Sequence, residues 1–334
     1  MNAPVTIILP TLNEVSHIGD CLESLKKQDY ANILEILVVD GGSQDGTQDI
    51  VLAAGGNVRL LNNPRMTAAA AMNIGIQECS TSIFIRMDAH TLYANDYVSR
   101  SVSTFEESDA TVVGGPMRPI GTNPFGSAVS AVTTSPLGVG PGRFHYSEKL
   151  EEVETVYLGI FDREFVIKVG GYDEKNLQWA AEDQELNYRI RKAGGKILLD
   201  PRITSTYFPR NNPRALARQY HNYGMCKAST LAKHKMLPYW RPMVPAIMVM
   251  STLIWIIGAI FFGQTLLAAL PLCIYAIAAS AIGLQMGKKQ NCKPHLVAYA
   301  LSICHWCYGF GFWRGIFRMV TLRKFDTKPK GGRR

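Results

Sequence analysis

The run Glu35-Ile36-Leu37-Val38-Val39-Asp40-Gly41-Gly42-Ser43-Gln44-Asp45-Gly46-Thr47 constrains the fold more than any other part of this chain. Five residues, apolar but for Glu35, lead straight into an acid and a turn. This reads as a buried strand that carries Asp40 to its C-terminal end. Open α/β sheets bind their ligands at that edge. The Gly-Gly-Ser and Asp-Gly-Thr steps let backbone N–H groups approach a ligand and then start a helix. An ordinary turn with a capping Asp explains the same residues, so the neighbouring segments have to decide.

They repeat the pattern. Strands are expected over Val5–Leu9, Glu35–Val39, Val58–Leu61 and Ile83–Met87, and helices over Glu14–Gln28, Thr47–Ala54 and Thr67–Glu78. Such alternation predicts an α/β fold, a mostly parallel sheet with helices on both faces. No Gly-x-Gly-x-x-Gly follows the first strand, and no Gly-Lys-Ser/Thr occurs anywhere, which removes the dinucleotide fingerprint and the P-loop. Further on, strands are expected near Ala110–Gly114, Tyr157–Phe161 and Ile197–Asp200, and a helix over Gln178–Ala193. Between Thr111 and Gly142 the Gly, Pro, Ser and Thr content predicts a long loop able to cover a site.

Charge divides the 334 residues sharply. Residues 1–200 hold 16 Lys+Arg against 26 Asp+Glu; residues 201–334 hold 19 against one, Asp326. A basic third fits nucleic acid or an anionic membrane surface. Hydropathy chooses the membrane: Pro242 to Gly287 contains no charged residue, 46 in a row, enough for two spans turning near Gly263-Gln264. Arg241 flanks this run on one side and Lys288, Lys289 and Lys293 on the other, which puts both ends in the cytoplasm. A third apolar stretch, His295 to Trp313, reads as interfacial, re-entrant or spanning, with the first two favoured because a third span would export the basic tail from Arg314 to Arg334. Arg214 to His234 reads as an amphipathic helix lying on the membrane. The divisions are therefore residues 1–209 the α/β domain, 210–241 interfacial, 242–287 a transmembrane hairpin, and 288–334 the third segment and tail. The N-terminus lacks the basic n-region of a signal peptide. Seven scattered cysteines fit a reducing compartment, and Cys304-His305-Trp306-Cys307, in an apolar segment without a second ligand pair, reads as packing.

Two acidic clusters remain. Asp88 and His90 stand at i and i+2 of what reads as an extended segment, so both point the same way. A carboxylate and an imidazole suit Mn²⁺ or Mg²⁺ when substrate phosphates complete the shell. Glu182-Asp183 opens the expected helix, where adjacent acids are ordinary helix electrostatics or a general base beside an acceptor hydroxyl.

Together these residues resemble family 2 glycosyltransferases of the GT-A fold, most of all those of bacterial succinoglycan and other exopolysaccharide biosynthesis. The resemblance rests on Ile8-Leu9-Pro10-Thr11-Leu12-Asn13-Glu14, the run from Val38 to Thr47, Ala71-Met72-Asn73-Ile74-Gly75, Arg86-Met87-Asp88-Ala89-His90, and Ala181-Glu182-Asp183-Gln184-Glu185-Leu186, and covers about residues 4–235. It implies that Pro10, Thr11, Asn13, Glu14, Asp40, Ser43, Asn73 and Asp88 bind the donor. Asp88 and His90 would stand for the Asp-x-Asp metal motif, and Asp183, supported by Glu182, for the catalytic base. The implied enzyme is a metal-dependent, inverting hexosyltransferase of the bacterial inner membrane. It would take a nucleotide sugar, a UDP-sugar, and a polyprenyl-diphosphate-linked acceptor, and would not bind nucleic acid. The chain departs from the family in having His90 for the second Asp and Met72 for an Arg. Gln219-Tyr220-His221-Asn222-Tyr223 lacks the Arg and Trp of processive enzymes, which favours single-sugar addition. A processive β-glycan synthase and an inactive membrane-tethered scaffold are the alternatives.

Overall fold

The computed structural model describes residues 3–140, 142–175, 182–234 and 241–322. Strand β1 (Val5–Thr11), helix α1 (Ile18–Lys26), β2 (Ile33–Asp40), α2 (Thr47–Ala54), β3 (Val58–Asn62), α3 (Ala68–Glu78) and β4 (Ile83–Arg86) follow one another. Next come β5 (Thr91–Tyr93), α4 (Tyr97–Glu106), β6 (Val112–Gly115), β7 (Met117–Pro119), α5 (Pro124–Thr133) and α6 (Pro136–Val139). The chain continues through β8 (Glu151–Glu152), β9 (Tyr157–Asp162), α7 (Arg163–Lys168), α8 (Glu182–Lys192), β10 (Ile197–Leu199) and β11 (Ser205–Tyr207). It ends in α9 (Pro213–His234), α10 (Val244–Phe261), α11 (Thr265–Ala268), α12 (Leu270–Gln290) and α13 (Pro294–Leu322).

An eight-stranded sheet runs in the order β3-β2-β1-β4-β9-β6-β10-β8, and β5-β11-β7 form a small second sheet. Strands β1 to β4 are mutually parallel, whereas β9 is antiparallel to both β4 and β6. Side-chain alternation gives each face of the sheet its own core. Val5, Ile7 and Leu9 join Ile36 and Val38 beneath α1, α2 and α4. Ile8, Leu37 and Val39 join Met72 and Ile76 of α3 and Leu186 and Ile190 of α8 on the other face. Helix α3 lies so close to the sheet that a Cβ on Gly75 would come within 2.4 Å of Ile8 Cγ2. After β3 the chain crosses to the far flank of β1 to make β4, so the topological switch point falls there. Thr11, Asp40 and Arg86 end β1, β2 and β4.

The described residues separate into two compact units: 3–118 with 142–207, and 119–140 with 208–322. The stretch expected as a covering loop therefore belongs with the apolar helices. Asn123 and Ser135 cap α5 and α6, and Pro124 and Pro136 occupy their first turns, so the prolines start helices instead of breaking them. Phe125, Ala128, Val129 and Val132 pack with Ala279, Val297 and Leu301 of α12 and α13.

One expected boundary also shifts. Helix α1 begins at Ile18, not Glu14, because Asn13 takes a left-handed φ of 55° and Glu14 O closes a turn onto the N–H groups of His17 and Ile18. The hairpin turns at Gly263 (φ 72°) as expected, with α10 and α12 both long and apolar enough to cross a bilayer. The third apolar stretch is helical throughout. It lies inside one unbroken 29-residue helix, α13. The residues expected to start the helix of Glu182-Asp183, 178–181, and the tail from Arg323 to Arg334 lie outside the described residues.

Candidate active site

The loops after β1 and β2 are knitted together by side chains. Asn13 N–H donates to Ser43 Oγ at 2.7 Å, and Gln44 N–H donates to Asn13 Oδ1 at 3.1 Å. Glu14 N–H donates to Thr47 Oγ1 (2.9 Å) and Val15 N–H to Asp45 Oδ2 (3.1 Å). Asp40, 1% exposed, turns its carboxylate back on its own loop, where Oδ1 accepts from Gly42 N (2.9 Å), Ser43 N (2.8 Å) and Gln48 Nε2 (2.6 Å). Asp40 thus first shapes the loop, in the manner of an Asx turn. Pro10 and Thr11 finish β1 beside it, with Thr11 Oγ1 donating to Leu9 O at 3.1 Å.

Asn73 does similar work from α3. Its Nδ2 donates to Tyr172 O (2.9 Å) and Glu174 Oε1 (2.7 Å), and its Oδ1 accepts from Tyr172 N (2.8 Å). It fastens the segment leading towards α8. Gly171, at φ 65°, brings its backbone so close that a Cβ there would stand 2.7 Å from Asn73 Oδ1.

The centre of the site is a residue that the sequence reading quoted only as part of a motif. Arg86, at the end of β4, is 5% exposed. Its guanidinium pairs with Asp183 through Nη1 and with Glu182 Oε1 through Nη2 at 3.2 Å, and lies 3.7 Å from Asp88 Oδ1. Tyr172 lies under it, ring centroid 5.7 Å away. Burial pulls the Arg86 pKa down, but Tyr172, Asp88 and Glu182 outweigh it and hold it above the usual range. One forked cation therefore gathers the acids of β4 and α8, residues almost 100 apart in sequence. The signal was present: an Arg ending a buried strand needs buried partners.

Asp88 and His90 are arranged differently from expectation. The strand stops at Arg86 and residues 89–90 form a turn, so the alternation of an extended strand does not orient this pair. Instead the Tyr93 hydroxyl accepts from Asp88 N–H (2.7 Å) and donates to Asp88 O (3.1 Å). His90 Nδ1 faces Glu14 Oε1 at 3.3 Å, and Glu14 Oε2 lies 3.4 Å from His17 Nδ1. Among the described residues no three His, Cys, Asp or Glu side chains stand close enough to hold a metal. A carboxylate and an imidazole whose Nε2 points away from Glu14 still fit a hard divalent ion that keeps most of its shell for water and phosphate.

Asp40 ends β2, Asp88 follows β4, and the Glu182-Asp183 pair is tied to that edge through Arg86. A family model described as glycosyl transferase family 2 matches residues 6–169. The succinoglycan biosynthesis protein ExoA of Rhizobium meliloti is 31% identical over 320 residues, covering 92% of this chain and 93% of that protein. The chain belongs to glycosyltransferase family 2. It is 26% identical to a dolichyl N-acetyl-α-D-glucosaminyl phosphate 3-β-D-2,3-diacetamido-2,3-dideoxy-β-D-glucuronosyltransferase of Methanococcus voltae, over 94% of this chain and 97% of that one. A second family model, the N-terminal domain of galactosyltransferase, matches residues 143–209 of this glycosyltransferase. Its GT-A fold is shared with a mannosyltransferase from Pyrobaculum calidifontis solved with GDP-mannose and Mn²⁺, at TM-score 0.57 and 18% identity, covering 91% of this chain and 87% of that one.

Proposed function

We propose that this glycosyltransferase adds one sugar, with inversion, from a UDP-sugar to a lipid-linked oligosaccharide during exopolysaccharide assembly at the bacterial inner membrane, its catalytic unit in the cytoplasm. The observation that carries the reading is the Arg86 fork, which ties the Glu182-Asp183 pair of α8 to the Asp88 edge of β4. Pro10, Thr11, Asn13, Glu14, Asp40 and Ser43 form the wall of the nucleotide pocket, and Asn73 braces it from α3. A divalent cation held by Asp88 and His90 would screen the diphosphate as it departs. Asp183, one third exposed, takes the proton of the acceptor hydroxyl as that oxygen attacks the anomeric carbon from the face opposite the diphosphate. Glu182, held by the other arm of Arg86, keeps Asp183 in place. An α-linked donor then yields a β-linked product. Helices α10 and α12 tether the chain to the bilayer that carries the acceptor.

The test is nucleoside diphosphate release from a panel of UDP- and GDP-sugars, with Mn²⁺, Mg²⁺ or EDTA. Asp183→Asn lowers kcat by about 10²–10⁴-fold and leaves nucleoside diphosphate affinity unchanged. Normal turnover by that variant would remove Asp183 from the role of base.

A further inference from the structure

An imidazole has two unlike nitrogens, and the one that can take a cation is decided by what holds the other. A carboxylate has no such choice, because its two oxygens are alike. Of Asp88 and His90, only His90 therefore needs a partner that sets it. The fold supplies one from another loop, 76 residues away in sequence.

His90 Nδ1 lies 3.3 Å from Glu14 Oε1. An ionised carboxylate only accepts hydrogen bonds, so Nδ1 carries the proton of this contact. A metal ligand is a neutral imidazole, and with Nδ1–H donated to Glu14 the lone pair is left on Nε2. The side chain of Glu14 is 10% exposed and that of His90 25%, so the carboxylate is covered while the ring keeps part of its surface open. The ring is also held from its side. Tyr207 of β11 packs against it with centroids 6.2 Å apart, and Tyr157 packs against Tyr207 at 5.8 Å. The Tyr157 hydroxyl lies 3.0 Å from Thr91 Oγ1, the residue that follows His90 and opens β5.

Glu14 is itself fixed. Asn13, at φ 55°, turns the chain after β1 and is bonded to Ser43 and Gln44 of the neighbouring loop. Glu14 N–H donates to Thr47 Oγ1, and Glu14 O accepts from His17 N–H at 2.9 Å and Ile18 N–H at 2.8 Å. Its other carboxylate oxygen, Oε2, lies 3.4 Å from His17 Nδ1. Among the described residues no three His, Cys, Asp or Glu side chains could hold a metal together. Glu14 therefore stands beside His90 as an orienting group and not as a third ligand.

We propose that Glu14 is a positioning residue for metal binding: its carboxylate keeps the His90 proton on Nδ1 and the ring in place, so that Nε2 is the atom offered to a divalent cation. The inference rests on the proposed assignment of Asp88 and His90 as metal ligands. It gives Glu14 a role towards the cation in addition to its place in the nucleotide wall. Glu14 takes no part in bond making.

The experiment titrates Mn²⁺ into the full chain in detergent, with UDP in one arm and GDP in another. Bound metal is read from loss of the free Mn²⁺ electron paramagnetic resonance signal. Imidazole ligation is read from nitrogen modulation of the bound ion's spin echo, assigned to His90 by its loss in His90→Ala. Glu14→Ala weakens Mn²⁺ binding about 10–100-fold and diminishes the modulation at equal occupancy. Glu14→Gln recovers most of the affinity, because an amide oxygen also accepts from Nδ1–H. In a His90→Asp background Glu14→Ala no longer weakens binding, since an Asp has no tautomer to fix. Equal affinity and equal modulation in wild type and Glu14→Ala overturn the inference and leave the metal assignment standing. A loss that persists in the His90→Asp background also overturns it, and makes Glu14 a nucleotide contact or a structural one. Nitrogen NMR of the metal-free wild type with labelled histidine finds the His90 proton on Nδ1; a proton on Nε2 overturns the inference without any variant. Bound Mn²⁺ without nitrogen modulation in the wild type, or no bound Mn²⁺ in either arm, overturns the assignment of His90 as a ligand, and the inference with it.

Discussion

Arg86 carries more of this site than any other side chain, because three carboxylates depend on its two terminal nitrogens. Replacing it with Met leaves Glu182, 8% exposed, without its cation. The cost is about 3–5 kcal/mol, seen as a lower melting temperature together with lost nucleoside diphosphate release. Arg86→Lys restores charge but not the fork, so it recovers stability better than turnover. His145 makes a separate prediction. Its Nδ1 is buried without a partner, and burial depresses its pKa from 6.5 to about 3. The folded ring stays neutral where the unfolded one binds a proton. Stability is then full above pH 6.5 and lost as pH falls from there towards 3, at up to ~1.4 kcal/mol per pH unit. His145→Gln flattens that slope in thermal unfolding measured between pH 7 and 4.5.

Among the elements, the α9–α13 pair tolerates little change. Their backbones meet at Gly224 and Gly311, and any side chain there enters a neighbouring carbonyl. Gly311→Leu should cost at least the ~1–3 kcal/mol of an overpacked core, read as a lower melting temperature in detergent and as aggregation on gel filtration. The loops after β1 and β2 work the other way, with many weak ties in place of one tight contact. Asp45→Ala removes acceptors for Val15 N–H, Thr47 N–H and Thr47 Oγ1. It should raise the donor KM more than it lowers kcat, because it loosens a binding wall and leaves Asp183 untouched. A change confined to kcat would count against that reading of the loop.

At the scale of the whole molecule, the division at residue 209 read from composition leaves residues 119–140 apart from the unit they pack in. The apolar face of α5, with Phe125, Val129 and Val132, is buried against the apolar helices. A fragment ending at 209 exposes it, and should appear in the aggregated fraction after expression where the full chain in detergent does not. Much else was legible in the chain itself. The alternation of Val5 to Leu9 and Ile36 to Val39 required a sheet covered on both faces, and 46 uncharged residues predicted two long apolar helices. The order of the motifs named family 2. These are local periodicities, set by 2.0- and 3.6-residue repeats and by the cost of burying charge, and the sequence displays them directly. What tertiary structure alone decided is which distant side chains meet. Arg86 reaches Glu182 and Asp183, Asn73 reaches Tyr172, α5 leaves the sheet for the apolar helices, and Glu14 faces His90, because packing, not spacing along the chain, chooses partners that far apart.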